Sequence, residues 1–388
     1  MDFSFTSEQT QLGDAIQRYV ANEYGFEARK KIVYSETGMS QAVWQQLADL
    51  GVFALPVDEQ YGGFGGSAVD LLVVMRELGR GLVVEPVFST LLGAEFLKRA
   101  GNEEQRGRLA HVADGSLKLA CALHERQSRH ELFNVETTVR ASGEGYLLDG
   151  TKTVVVHGGQ AEGLIVSARL SGGARERSGL GLFWVDAGAA GVTRKEYRTI
   201  DGLRAADIRF DAVPLGRDAL LGAGGEAWSV IDAVSDYGVA LLCAEAIGVM
   251  ETLNAHTLEY TKTRKQFGQP IARFQVLQHR MVEMFMHLEQ ARSMAYLAAV
   301  KASSGDAAER RRCVSAAKVR VGQAGRYIGQ QAVQLHGGMG VTNELPAAHY
   351  FKRLTMIETT LGDTDHHLAR FVEQGSAAEA RAELRHAA

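Results

Sequence analysis

At 388 residues, with 46% apolar and 23% charged residues, the chain is long enough for two or three packed layers or domains around a large core. A net charge near −4 removes any electrostatic argument for nucleic acid or an anionic membrane, and no uncharged apolar run approaches a membrane span. Cys121, Cys243 and Cys313 are widely spaced and fit neither a metal site nor a disulfide framework; with no basic-then-apolar leader visible, the expectation is a cytoplasmic protein without a metal.

Residues 1–118 read as a helical domain. Thr6-Ser-Glu-Gln9 has the capping-box pattern, followed by Leu12, Ile16 and Val20 at four-residue spacing. Trp44, Leu47 and Leu50 repeat the pattern, and Gly51 closes it. Tyr61-Gly-Gly-Phe-Gly-Gly66 lacks GxGxxG spacing and a preceding strand, so it reads as a helix–helix connection.

Over residues 119–225 the period changes to two. Val135, Thr137, Val139 and Ala141 alternate, Gly143-Glu-Gly145 makes a turn, and Asp149-Gly150 between alternating runs predicts a two-residue hairpin. Val154-Val-Val156, Leu164-Ile-Val166, Leu182-Phe-Trp-Val185 and Ile208-Arg-Phe210 read as further strands of a small antiparallel barrel or sandwich.

Over residues 226–388 the helical period returns. Val239, Leu242, Ala246, Val249 and Leu253 form one stripe, and Met284, Leu288, Ala291 and Ala295 another, as in an antiparallel four-helix bundle. Met281, Met284 and Met286 read as core packing, Arg310-Arg311-Arg312 as a solvated helix face, and residues 375–388 as a frayed tail. The fold class is therefore α+β: helices, then β, then a helical bundle.

Two segments of the last domain carry chemistry. Tyr260-Thr-Lys-Thr-Arg264-Lys-Gln-Phe267-Gly268 puts cations, an aromatic and a glycine at the end of a long helix. Gln334-Leu-His-Gly337-Gly338-Met-Gly340 breaks another helix with glycines, and Leu361-Gly362-Asp363-Thr364 follows. With Gly145-Tyr-Leu-Leu-Asp-Gly-Thr-Lys152 and Asp201-Gly-Leu-Arg-Ala-Ala-Asp-Ile-Arg-Phe210, these motifs stand in an order that resembles the acyl-CoA dehydrogenase family over the whole chain. Tyr350-Phe-Lys-Arg-Leu-Thr-Met356 and Gly362-Asp-Thr-Asp-His-His367 are most similar to the small subunit of pimeloyl-CoA dehydrogenase and related heteromeric subunits.

The resemblance implies FAD as cofactor, an acyl-CoA substrate oxidised to the trans-2-enoyl-CoA in fatty acid β-oxidation, and electron-transfer flavoprotein as acceptor. It implies that Arg264 meets the FAD pyrophosphate with its guanidinium fork, beside the aromatic Phe267 and the amide of Gln334. Gly337 and Gly338 match positions where backbone approaches the dinucleotide, and Thr364 matches a hydroxyl near the flavin ring.

The chain departs from the family pattern at the catalytic end. His124-Glu-Arg-Gln-Ser-Arg-His130 stands where the family has Thr-Glu-Pro-x-x-Gly-Ser-Asp, and Val154-Val-Val156 where it has Trp-Ile-Thr. The two positions the family uses for its glutamate base fall on Gly362 and Gly238. Asp363 is the remaining candidate base; Glu245 reads as an interhelix salt bridge, and His366 and His367 as surface histidines at a helix end. The expectation is one subunit of a heteromeric acyl-CoA dehydrogenase, lending the adenosine-binding half of FAD to a homologous partner that carries the base. The alternatives are a self-sufficient homotetramer using Asp363 and a non-catalytic acyl-CoA-binding scaffold.

Overall fold

The computed structural model describes residues 5–386, with side chains to residue 375. Helices α1 (Ser7–Glu23), α2 (Phe26–Val33), α3 (Gln41–Asp49), α4 (Ala68–Gly81), α5 (Val87–Ala100), α6 (Glu103–Gly107) and α7 (Leu109–Ala113) come first. Strands β1 (Leu119–Ala122), β2 (Thr138–Ser142), β3 (Gly145–Val156), β4 (Gly163–Arg169), β5 (Leu180–Asp186), β6 (Val192–Arg198), β7 (Arg204–Leu215) and β8 (Leu220–Gly225) follow. Helix α8 (Trp228–Thr263) leads through a short ribbon, β9 (Lys265–Gln266) and β10 (Gln269–Pro270), into α9 (Gln275–Lys301), α10 (Ala307–His336), α11 (Pro346–Thr359) and α12 (Thr364–His386). The capping box forms as the sequence predicts: Gln9 N–H donates to Thr6 Oγ1 and Thr6 N–H to Gln9 Oε1. α12 continues as helix to His386, through the stretch expected to fray; the last two residues, like the first four, lie outside the described ones.

The chain divides into two compact units. One is formed by Lys30–Ser67 and Val84–Ser235 and contains the sheet, in the order β6-β7-β3-β2-β4-β5-β8 with β1 also on β4. Most pairings are antiparallel, but β1 runs parallel to β4, and Thr138 of β2 meets Arg169 of β4 in the parallel sense. Every residue of β4 is buried, which is why it reads as a continuous apolar run rather than an alternation. Leu148, Val155, Leu164, Val166, Phe183, Ile208 and Phe210 fill the sheet core.

The hairpin predicted at Asp149-Gly150 is absent. The chain turns instead between Ser142 and Gly145, and β3 runs on through Asp149-Gly150 to Val156. A bulge interrupts its pairing with β7 between Leu148 and Gly150. Asp149 Oδ1 accepts the Ala212 N–H at 2.8 Å, and a Cβ at Gly150 would sit 2.5 Å from Thr137 Oγ1. The Asp-Gly pair that suits a tight turn suits a bulge equally well.

A buried ion pair fastens the loop between β1 and β2. Lys152 is wholly buried and donates to Glu125 Oε1 at 2.7 Å and to Ser167 Oγ at 3.0 Å. Glu125 also accepts the N–H groups of Glu136 and Thr137. Burial alone would raise the Glu125 carboxyl, but the Lys152 charge and hydrogen bonds from Lys152, Gln127 and Thr137 bring it down to about 2.

The other unit holds α1, α4 and the helices from α8 onward. α8 is long and apolar enough to span a bilayer, yet 94% of its most apolar stretch is buried inside the structure, as in a core helix. Four of its carboxylates, Asp232, Asp236, Glu245 and Glu251, are buried or half-buried. Asp236 pairs with Arg310 of α10 (2.9 Å) and Arg370 of α12 (2.5 Å). Glu245 binds Arg353 of α11 through two bonds of 2.5 and 2.7 Å, the interhelix bridge the sequence suggested. Glu251 gathers Arg76 and Arg80 of α4 and Arg292 of α9. The reading of Arg310 as solvated is thereby corrected: it is 6% exposed because its partner lies on another helix, whereas Arg312 does face solvent. The methionine face is mixed, with Met284 buried and Met286 exposed.

Replacing Lys152 by Met should cost about 3–5 kcal/mol by stranding the Glu125 charge, read as a lowered urea midpoint. Because the folded-state pKa of Glu125 is depressed, its contribution is complete above the unfolded carboxylate pKa, about 4.3, and is lost as pH falls toward 2. Acid titration of the midpoint should therefore be shallower in Glu125→Gln than in the native chain.

Candidate cofactor-binding and catalytic site

The two glycine-bearing segments meet at one end of the helical unit. Tyr260, in the last turn of α8, stacks on His336, the last residue of α10, with ring centroids 4.4 Å apart. Its hydroxyl donates to the His336 carbonyl at 3.3 Å. Arg264 N–H continues the helical ladder to Tyr260 O, and Arg264 O accepts from Ile271 N–H, closing the β9–β10 ribbon. At the ribbon tip Phe267 (φ +52°) and Gly268 (φ +74°) both take left-handed conformations, as a two-residue turn requires. Phe267 is a poor residue for such a conformation and is 90% exposed.

Arg264, Phe267, Gln334, Gly337 and Gly338 all face outward at this end. Gly337 needs its positive φ of 60° to end α10. Gly338 has no positive φ, and a Cβ there would meet nothing within 4 Å among the described residues. Nothing among the described residues calls for glycine at 338, whereas close approach of a bound dinucleotide would. The residues present thus fit the adenosine and pyrophosphate of FAD: a guanidinium, an exposed aromatic, an amide and an open glycine cradle.

The loop between α11 and α12 is a separate group. Thr364 Oγ1 lies 2.8 Å from where a Cβ on Gly322 would stand, and Gly322 precedes Gly337 by fifteen residues of α10, about 22 Å along the helix. The structure therefore does not bring Asp363 and Thr364 to the Arg264 cluster. The Thr364 hydroxyl donates to Glu358 Oε1 at 2.8 Å, and Glu358 also binds Arg326. Asp363 Oδ1 accepts the His366 N–H at 2.8 Å, the geometry of an N-cap for α12.

Neither family position for the base carries a carboxylate: Gly362 is buried at φ +107°, and Gly238 is buried in α8. His367 is 1% exposed, so the reading of it as a surface histidine is corrected; burial and the nearby Lys318 and Arg370 charges hold it neutral. Sequence reasoning also missed Lys318, a fully buried lysine that donates to Ile357 O and Thr360 O at the end of α11. Burial pushes its pKa to about 8. Its signal was a lysine on the core face of α10, among Val314, Ala317 and Val321.

In the sheet unit, the segment standing for the family's flavin-facing stretch is mixed, with Glu125 and Ser128 buried and Arg126, Gln127 and Arg129 exposed. His124 is driven down to about 4 by burial and the His130 charge. Val154, in place of the family tryptophan, is 47% exposed at φ +52°, a conformation that a β-branched residue resists. Its N–H donates to Asp207 Oδ1 at 3.1 Å.

A helix–sheet–helix chain with this outward cluster has the form of a flavin-dependent dehydrogenase. Models of the acyl-CoA dehydrogenase N-terminal, middle and C-terminal domains match residues 6–116, 120–213 and 225–375. Acyl-CoA dehydrogenase FadE12 of Mycobacterium tuberculosis is 30% identical over 363 residues, spanning 89% of this chain and 91% of the relative. Among solved structures, the Tcur3481-Tcur3483 steroid ACAD matches at TM-score 0.87 and 29% identity, covering 96% of this chain and 99% of the other. The ChsE4-ChsE5 complex from M. tuberculosis matches at TM-score 0.87 and 25% identity over 97% and 99%. The chain belongs to the acyl-CoA dehydrogenase family, FAD flavoproteins of fatty acid oxidation that act on acyl-CoA.

Phe267→Asn creates the favoured Asn-Gly turn, so it should raise the melting temperature of the apo chain while weakening FAD about tenfold in a flavin-fluorescence titration of the complex co-expressed with a homologous subunit. Gly338→Ala should leave the melting temperature within error and also weaken FAD.

Proposed function

We propose that this chain is one subunit of a heteromeric FAD-dependent acyl-CoA dehydrogenase. It lends the adenosine-binding half of a FAD site to a homologous partner, and the partner supplies the carboxylate base. The observation that carries this reading is a division within the chain: an outward grip with a glycine its own fold does not need, against two base positions that are both glycine. Exposed apolar stripes support a covering partner: Val282, Phe285 and Met286 on α9, and Leu368, Phe371 and Val372 on α12, each at i, i+3, i+4 spacing. The names of the two solved relatives, Tcur3481-Tcur3483 and ChsE4-ChsE5, each pair two chains.

In the assembled enzyme the partner's carboxylate would take the α-proton of the acyl-CoA, and bound FAD would accept the hydride leaving the β-carbon. On this chain, Arg264 would neutralise the pyrophosphate while Phe267 and Gln334 orient the adenosine side. The resemblance to pimeloyl-CoA dehydrogenase small subunits favours a bulky or ω-carboxylated acyl group, with electron-transfer flavoprotein as acceptor.

The test is purification of the chain alone and after co-expression with a homologue from a neighbouring gene. The chain alone should be colourless and unable to reduce dye, and the complex yellow and active; a yellow, dye-reducing homo-oligomer of this chain alone defeats the proposal. Because the Asp363 carboxylate caps α12, Asp363→Asn in the active complex should lower stability slightly and leave kcat within twofold. Loss of turnover with FAD still bound would instead favour a homotetramer using Asp363.

A further inference from the structure

A single buried chain of donors and acceptors runs from the start of α8 to the loop where the family keeps its base. Asp236 accepts from Arg310 Nε and Arg370 Nη1. Arg370 also reaches Ser315 Oγ at 3.4 Å, and Ser315 Oγ stands 3.2 Å from His367 Nδ1. His367 Nε2 lies 2.9 Å from the Leu361 carbonyl. A carbonyl only accepts, so Nε2 carries the proton and Nδ1 accepts from the serine hydroxyl, which leaves the serine oxygen to accept from Arg370. Every link has one consistent direction, and the chain ends on the backbone of residue 361.

The imidazole fixed in this way lies where a side chain at position 362 would have to begin. A Cβ at Gly362 would be 2.7 Å from His367 Nε2, 2.9 Å from His367 Cδ2 and 2.6 Å from His366 Cδ2. The ring cannot swing aside without giving up both of its hydrogen bonds inside the protein. The loop is also held from its other side, where Lys318 binds the Ile357 and Thr360 carbonyls.

We infer that His367 occupies the space a catalytic side chain at position 362 would need, so that this loop is closed to proton abstraction by its packing as well as by its lack of a carboxylate. The inference deepens the proposed function, since it rests on reading residue 362 as the family's base position. Restoring the family's carboxylate at that position would then not create a self-sufficient enzyme.

The test is a double-mutant cycle on the full chain, read by thermal melting: Gly362→Ala, His367→Ala and both together. The positive φ and the contact with His366 penalise an alanine at position 362 in either background, whereas the clash with the His367 ring exists only where that ring is present. Gly362→Ala should therefore lower the melting temperature measurably more with His367 than without it. Should His367→Ala fail to fold, His367→Ser serves in the same cycle. Equal losses in the two backgrounds overturn the inference. So does a Gly362→Glu chain that, purified alone, melts as the native chain does and reduces dichlorophenolindophenol with butanoyl-CoA or hexadecanoyl-CoA. Dye reduction by the unmodified chain would defeat the heteromer proposal, yet the melting cycle would still decide this one.

Discussion

The helical unit is organised by charges on an apolar rod. α8 carries Asp236, Glu245 and Glu251 along its length, and each is neutralised by arginines from other helices: α10 and α12, then α11, then α4 and α9. A buried carboxylate without its partner is costly, by several kcal/mol, so a helix that slides or rotates against α8 pays at a named residue. Apolar packing alone tolerates such shifts; paired charges do not. Everything built on the ends of these helices, the Arg264 ribbon and the Gly337 break included, inherits that register.

Much of this was legible in the sequence because it is local. The Thr6 capping box, the change of period near residue 119 and its return near 226 depend on neighbours a few positions away. What could not be read depends on partners far along the chain. Arg310 looks solvated until Asp236, 74 residues away in sequence, is seen beside it. His367 looks like a helix-end surface residue until Ser315 and the Leu361 carbonyl enclose it. Asp149-Gly150 is a case of local ambiguity, since its chemistry serves turn and bulge alike, and the Ala212 N–H across the sheet decides the matter.

Strain is distributed with the same logic. Of the non-glycine residues with positive φ among the described ones, Val154, Phe267 and Leu361 fall where the resemblance places the cofactor or the base, whereas Leu82, His157 and Ala212 lie elsewhere. Such conformations persist only when surrounding structure over-determines them. At 267 the strained residue is an exposed aromatic. At 154 and 361 the side chains are aliphatic, and hydrogen bonds to Asp207 and from His367 hold the backbone in place.

On the proposed heteromeric reading, the outward Arg264–Gly338 cluster would make assembly depend on cofactor supply. A cofactor held between two chains binds the pair and neither half well, so subunit association and flavin uptake become linked equilibria. At free flavin one hundred times its dissociation constant, the linkage strengthens the pair by about 2.7 kcal/mol, roughly a hundredfold in association. Vitamin shortage would then act on this protein first as disassembly, exposing the α9 and α12 stripes to proteolysis and aggregation. The amount of enzyme in a cell would follow the amount of riboflavin without any dedicated sensor.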